Sequence, residues 1–191
     1  MPEPATRRAT YEDVLAAPEG LVAELIYGSL VTSPRPAMAH AHAASVLGMD
    51  IGSPFERGRG GPGGWWIVDE PELHLDGDIL VPDLAGWRRE RMPVIPDAPY
   101  IELAPDWLCE VLSPATEARD RTDKLDIYGR AGVAWVWLVN PRLQTLEVLE
   151  RREDGWSLRE THRGSTEARI PPFDAIELSL ADLWIPSAAE S

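Results

Sequence analysis

The chain has 191 residues, 44% of them hydrophobic and 26% charged, with a formal net charge of -14. That length fits one domain with a sizeable core, and no apolar run is long enough to cross a bilayer. The acidic balance argues against charge-driven, non-specific binding to nucleic acid, which needs basic surface to displace counterions.

A single cysteine, Cys109, excludes an internal disulfide and a cysteine-rich zinc site; its apolar setting predicts a buried packing role. Met1-Pro2-Glu3-Pro4 carries no apolar signal region, which predicts a cytoplasmic protein with no membrane partner. Residues 1–9 read as a disordered lead-in, 10–185 as one domain and 186–191 as a tail. Thr10 caps a short helix from Tyr11 to about Ala17, with Asp13 in the capping-box position, and Pro18-Glu19-Gly20 ends it. Val22 to Thr32 is apolar but broken by Tyr27-Gly28-Ser29, a hairpin signal. Glu24, in the first arm, is either an exposed strand residue or one that reaches a cleft shared with the acids below.

Ser33-Pro34-Arg35-Pro36 punctuates the chain, and the alanine-rich stretch from Ala37 to about Ile51 predicts a helix. His40 and His42 point to different faces of that helix, so they do not chelate one metal together. Gly52 to Gly64 reads as a mobile, glycine-rich surface loop; it follows no strand and lacks the lysine of a phosphate-cradling loop. Trp65 to Asp69 and Glu72 to Leu75 predict short strands, Asp76-Gly77-Asp78 a hairpin turn, and Ile79 to Trp87 a return strand carrying Asp83. Pro82 donates no ladder hydrogen bond, which marks an edge, a strand end or a bulge. Arg57 with Arg59, and Arg88 with Arg89 and Arg91, are two basic patches that either meet an anionic substrate or lie on a solvated face.

Met92 to Pro105 is a proline-rich connection, and Trp107 to Leu112 predicts a central strand. Alternation puts Trp107, Cys109 and Val111 on one face and Leu108, Glu110 and Leu112 on the other. An ionised carboxylate between two leucines is costly unless something pairs with it. A divalent cation is one such partner, and two carboxylates with a nearby lysine suit metal-dependent hydrolysis. Ser113 or Thr116 caps a helix to about Ala131, on which Asp120, Lys124 and Tyr128 recur at i, i+4 and i+8. A plain surface Asp–Lys pair is the competing reading of that stripe. Gly132 closes the helix. Ala134 to Val139 is a buried strand, Thr145 to Glu150 and Trp156 to Thr161 continue a meander, and Ser179 to Trp184 is a short helical turn. The eight tryptophans read as core rather than as a stacking platform.

Pro82-Asp83, then Glu110-Val111-Leu112-Ser113-Pro114, then Asp120 with Lys124 and Tyr128, then Trp135-Val136-Trp137-Leu138-Val139-Asn140-Pro141, fall in one order on these elements. Together with Glu24-Leu25-Ile26-Tyr27-Gly28 and His40, this series resembles the Uma-two family of putative restriction endonucleases, from about Thr10 to Trp184. The resemblance implies an α/β, restriction-endonuclease-like fold of the PD-(D/E)XK superfamily. Its mixed central sheet is flanked by helices and preceded by a helix and hairpin. It further implies that Asp83 and Glu110 hold Mg²⁺ or Mn²⁺, with the Val111 carbonyl as a further oxygen ligand. The superfamily lysine two residues after the glutamate is Leu112 here, so Lys124 takes its part in orienting water. Glu24 is the auxiliary ligand or base, and Tyr128, His40 and Arg88 are the expected substrate contacts. The implied substrate is nucleic acid, DNA in the first instance, and the implied assembly a homodimer. Two other functions stay open: a catalytically inactive interaction protein on the same fold, and a hydrolase of smaller phosphate esters. A nuclease requires Asp83, Glu110 and Lys124 to converge in a basic-rimmed cleft; a binding module predicts Lys124 in solvent or a closed cleft.

Overall fold

In the computed structural model, which describes residues 7–185, the first helix, α1 (Tyr11–Leu15), begins as its capping box predicts. The Thr10 backbone N–H and its hydroxyl both donate to Asp13 Oδ2, at 2.7 and 3.1 Å. Residues 1–6 of the expected lead-in and the expected tail at 186–191 lie outside the described residues. β1 (Leu21–Ile26) and β2 (Ser29–Pro34) form the hairpin. They are joined through Tyr27 and Gly28, both left-handed at φ 51° and 77°, as a two-residue connection requires.

Helix α2 (Met38–Ile51) runs on into a π-helical turn, Gly52–Glu56. The stretch expected to be a mobile loop therefore begins as packed structure, with Pro54 and Phe55 buried. Gly61 closes against that turn so tightly that an added Cβ would collide with the Pro54 Cβ and come within 3.0 Å of the Pro54 backbone. Glycine is needed there for space, not for conformation.

Strands β3 (Trp65–Asp69), β4 (Leu73–Leu75), β5 (Asp78–Leu80), β6 (Leu84–Arg88) and β7 (Trp107–Val111) follow. The expected single return strand from Ile79 to Trp87 is in fact two strands in two sheets. β5 pairs with β1 and β4, whereas β6 pairs with β3 and β7. Val81-Pro82-Asp83 makes the step between them, at the residue that lacks a backbone N–H. The proline-rich connection is tied down at Ile101, which bridges Leu73.

The helix expected after Ser113 is present but not regular: α3 (Glu117–Arg119) leads into a second π turn, Asp120–Lys124, and then α4 (Leu125–Ala131). Gly132 ends it in the left-handed conformation, φ 90°. β8 (Trp135–Asn140), β9 (Thr145–Arg152) and β10 (Gly155–Arg163) complete the meander. A short pair, β11 (Glu167–Ala168) and β12 (Leu178–Ser179), precedes a 3₁₀ turn at Leu180–Leu183.

The large sheet has the order β10-β9-β8-β7-β6-β3, and the small one β2-β1-β5-β4. β7 and β8 pair in parallel, which is why the helical crossover of α3 and α4 lies between them in sequence. Alternation along β7 holds as predicted. Trp107, Cys109 and Val111 pack against α2 and the C-terminal segment, while Leu108 and Leu112 pack with α4 and the small sheet. Cys109 is fully buried. This is a mixed α/β architecture of the expected kind, with a large mixed sheet covered on both faces. Among the described residues no helix is long and apolar enough to cross a membrane.

Asp50, near the end of α2, is half-buried, and burial first and the Asp182 charge second raise its pKa above 3.8. A folded state that binds this proton more tightly is favoured below the unfolded value and loses stability as pH rises through the folded one. Asp50→Asn is therefore expected to melt above the wild type at pH 7. The gain should vanish when the same thermal melts are run near pH 3.

Candidate active site

The break between β5 and β6, the C-terminal end of β7 and the second π turn meet at one point. Glu110 sits on the face of β7 turned toward α4, where it is 3% exposed. The Lys124 ammonium reaches it from the π turn: Nζ lies 2.8 Å from Glu110 Oε1, 3.0 Å from Glu24 Oε1 and 3.7 Å from Asp120 Oδ1. Lys124 is 3% exposed, so the reading of an Asp–Lys pair on the surface does not hold. A π turn widens the helix by one residue per turn and is a recurrent feature of functional sites. Here it places Asp120 and Lys124 together against the sheet.

Each carboxylate is oriented by backbone as well as by charge. Asp83 Oδ2 accepts the Val111 N–H at 2.7 Å, and its Oδ1 lies 3.3 Å from His40 Nε2. Glu24 Oε1 accepts the Val81 N–H at 3.0 Å, so the strand break positions Glu24 from β1 as well as Asp83. Tyr128 was expected to touch substrate. It is instead fully buried and donates its hydroxyl to Glu110 Oε1 at 2.5 Å. Removing that hydroxyl leaves a buried carboxylate oxygen one donor short. Tyr128→Phe is expected to cost about 1–3 kcal/mol in chemical denaturation, with a midpoint shift and an unchanged slope.

Five carboxylates, of Glu24, Glu70, Asp83, Glu110 and Asp120, line this small volume with one ammonium and one imidazole. The pKa of Glu110 is pushed well up by burial; Lys124 opposes that shift, and Asp120, Asp83 and Glu24 add to it. Burial likewise raises Asp120 against the pull of Lys124. Burial disfavours the charge on Lys124, but Glu110 above all, then Glu24, Tyr128 and Asp120, outweigh it and hold the ammonium protonated well past the usual range. At His40 burial opposes protonation; the Asp83 hydrogen bond and charge, helped by Asp120, reverse this and raise its pKa. His40 Nδ1 is buried with no hydrogen-bond partner among the described residues. His42, as the helix geometry required, faces elsewhere, with Nε2 3.0 Å from the Asp182 carbonyl.

A cavity of about 70 Å³ opens over Asp83, Glu110 and Lys124, with Val111 also in its wall. Among the described residues no three His, Cys, Asp or Glu side chains form a ready-made metal cage. Magnesium, however, is usually held by one or two carboxylates with waters and substrate phosphates completing its shell. The hard oxygens of Asp83 and Glu110, in a cluster with more carboxylates than cations, fit that requirement. Basic groups lie near the cavity: Arg119 reaches Ser33, which lines it, at 3.4 Å, and the Arg35 charge acts on Glu70, which lines it too, against the rise in pKa that burial causes there. Arg88 is not among them. It closes the far end of β6, roughly 16 Å along the strand from Asp83, and covers the Trp65 ring at 4.6 Å.

Glu70 lines the same cavity, and sequence reasoning did not single it out. Its φ of 45° is unusual for a residue other than glycine, its N–H donates to the Asp83 carbonyl at 3.0 Å, and burial chiefly raises its pKa. The position just before Pro71 was the only signal, since a proline restricts the residue preceding it. Asp120 was legible only as one step of a helical stripe.

A mixed sheet with two acids at a strand break and a strand end, and a lysine buried against them, defines a restriction-endonuclease-like, nuclease-type protein. A family model described as "Uma2: Putative restriction endonuclease" matches residues 9–181, and the chain belongs to that family. Among solved structures, it is similar to a putative nuclease belonging to DUF820 from Anabaena variabilis, with a TM-score of 0.72. That match has 24% sequence identity and covers 92% of this chain and 97% of the other. No curated protein matches the sequence.

Proposed function

We propose that the protein is a metal-dependent nuclease that hydrolyses phosphodiester bonds of DNA. The observation that carries this reading is Lys124 Nζ, held between Glu110 and Glu24 at 2.8 and 3.0 Å beside Asp83 in a cavity open to solvent. Burying several acids against one lysine is weak value as a stabilising device, since apolar residues of the same volume serve a core at least as well. Such clusters are better explained by chemistry.

Asp83 and Glu110 would hold Mg²⁺ or Mn²⁺, with the Val111 carbonyl as a further ligand. When bound, the ion supplies a water of lowered pKa and offsets charge developing on the phosphate. The chain's own groups divide the remaining work. Lys124 stays an ammonium, so it donates to a water and orients it but takes no proton from it. Glu24, fixed by the Val81 N–H, is the carboxylate placed to accept that proton. His40 holds Asp83 on one side while the Val111 N–H holds it on the other, and Tyr128 holds Glu110. Arg35 and Arg119 present positive charge where a strand would enter. One domain of this size carries one such site, so cutting both strands of a duplex calls for a homodimer.

Cleavage of single-stranded DNA, duplex DNA and RNA with Mg²⁺ or Mn²⁺ tests the proposal, with thermal melts in the presence and absence of each ion. Wild type should cut DNA and gain melting temperature with metal. In Asp83→Asn the amide oxygen still accepts the Val111 N–H, so the fold should persist while both effects disappear. Loss of cleavage by more than ~100-fold is expected, since even groups behind metal ligands are worth about 10–100-fold. A wild type that neither cuts nor responds to metal would instead make this an interaction protein on a nuclease fold.

A further inference from the structure

A second, larger hollow of about 550 Å³ lies further along α2 from the carboxylates. The two share elements. His40 lines the first, and Ala44 and Gly48, one and two turns on along the same stripe of α2, line the second. On the sheet side Asp83 lines the first and its neighbour Leu84 the second, with Asp69, the β3 partner of Leu84, beside it. One turn of helix is about 5.4 Å, close to the step between successive phosphates of a strand.

We infer that this hollow is a nucleotide pocket, taking the base and phosphate of a nucleotide that flanks the scissile bond. This rests on the phosphodiesterase reading above and extends it to how substrate is gripped. The volume falls in the range of about 300–1,000 Å³ that small-molecule sites occupy. Leu84 packs onto Gly48, where an added Cβ would come within 3.3 Å of its Cδ2, and the half-buried Ile67 supplies apolar surface against which a flat base can lie. Ser45 and Asp69 offer polar atoms to the base edge; a carboxylate accepts from an exocyclic amino group such as that of cytosine. Arg57 and Arg59 stand exposed at the other end, where they can take a phosphate.

The loop that bears these arginines is built rather than loose. The Arg59 N–H donates to the Ser53 carbonyl at 3.0 Å and the Gly63 N–H to the Pro54 carbonyl at 2.9 Å. Gly61 presses on Pro54 within the same loop. Glu56 also reaches the hollow, so with Asp69 it offsets both arginines. Binding therefore depends on the base as well as the phosphate, as suits an acidic protein that must not hold nucleic acid by charge alone.

Anisotropy of a fluorescein-labelled single-stranded DNA octamer, in EDTA and again with Ca²⁺, reads this grip apart from cleavage. Ser45→Trp fills the hollow from an exposed helix position, and Arg57→Ala/Arg59→Ala removes the groups that would meet phosphate. Arg152→Ala/Arg159→Ala, whose side chains both pair with Glu150 on the β9–β10 hairpin, removes the same charge elsewhere. Both pocket variants should weaken binding at least 10-fold and the control less than 2-fold. The arginine pair should also flatten the log–log salt slope by about 0.7, for the one phosphate of a single strand that is no longer neutralised. Competition by free nucleoside 5′-monophosphates would assign the pocket to free nucleotides; octamer binding that they do not displace would assign it to nucleotides within a strand. Equal binding by wild type and both pocket variants overturns the pocket and leaves the cleavage chemistry standing. A wild type that binds no octamer under either condition overturns the pocket together with the nucleic-acid reading.

Discussion

Lys124→Met is expected to destabilise the protein by about 3–5 kcal/mol, lowering its melting temperature by on the order of 10 °C. The methionine fills nearly the same volume, so the loss comes from charge. Glu110, Glu24 and Asp120 keep their burial and lose the ammonium that lies 2.8, 3.0 and 3.7 Å away. A buried pair deprived of one partner costs far more than the pair contributed, because an uncompensated charge remains. The double variant Lys124→Met/Glu110→Gln separates this from a packing effect, since glutamine still accepts the Tyr128 hydroxyl and carries no charge. It should be more stable than the sum of the single changes predicts, by about 0.5–3 kcal/mol of coupling. Additive single effects, or a Lys124→Met variant within about 0.5 kcal/mol of wild type, would mean that the lysine does not compensate the acids.

That burial could not be read from the sequence. The spacing of Asp120, Lys124 and Tyr128 describes a stripe on a regular helix and says nothing of what the stripe faces; a solvated pair has the same spacing. Nor does the spacing announce the π turn at Asp120–Lys124, which no residue preference in that segment marks. What was legible rested on local rules with one outcome. Alternation along Trp107–Val111 separates Cys109 from Glu110 whatever the rest of the fold does, and the Tyr27-Gly28 turn and Gly132 stop follow from backbone conformations few residues adopt. Ile79 to Trp87 failed for a tertiary reason. Both of its halves are strands, and only the partners they find reveal two sheets. Pro82 marked the place of the break without giving its consequence, which is that Glu24 and Asp83 are both fixed around it. Arg88 lies apart from the carboxylates for a related reason: nearness to Asp83 in sequence along an extended strand is distance in space.

Phe173→Ala is expected to cost about 3–5 kcal/mol, although the segment that carries it belongs to no strand or helix. The ring is fully buried on the face of the large sheet opposite Glu110, where Phe55, Trp65, Trp107 and Trp137 surround it with centroids 4.6, 4.9, 4.9 and 5.6 Å away. Two of those contacts are edge-on, the arrangement that aromatic quadrupoles favour. Truncation removes that packing and leaves a cavity that four large, mutually wedged rings cannot collapse to fill. The rings belong to the first π turn, β3, β7 and β8, so Phe173 joins the α2 end to the strand that bears Glu110. Chemical denaturation should show a lower midpoint with an unchanged slope, and Phe173→Leu, which fills more of the cavity, should recover part of the loss. The cleavage proposed above should change little per folded molecule, because Phe173 and Glu110 lie on opposite faces of β7. A large loss of activity in Phe173→Ala at temperatures where it is fully folded would show instead that the two faces of β7 are coupled.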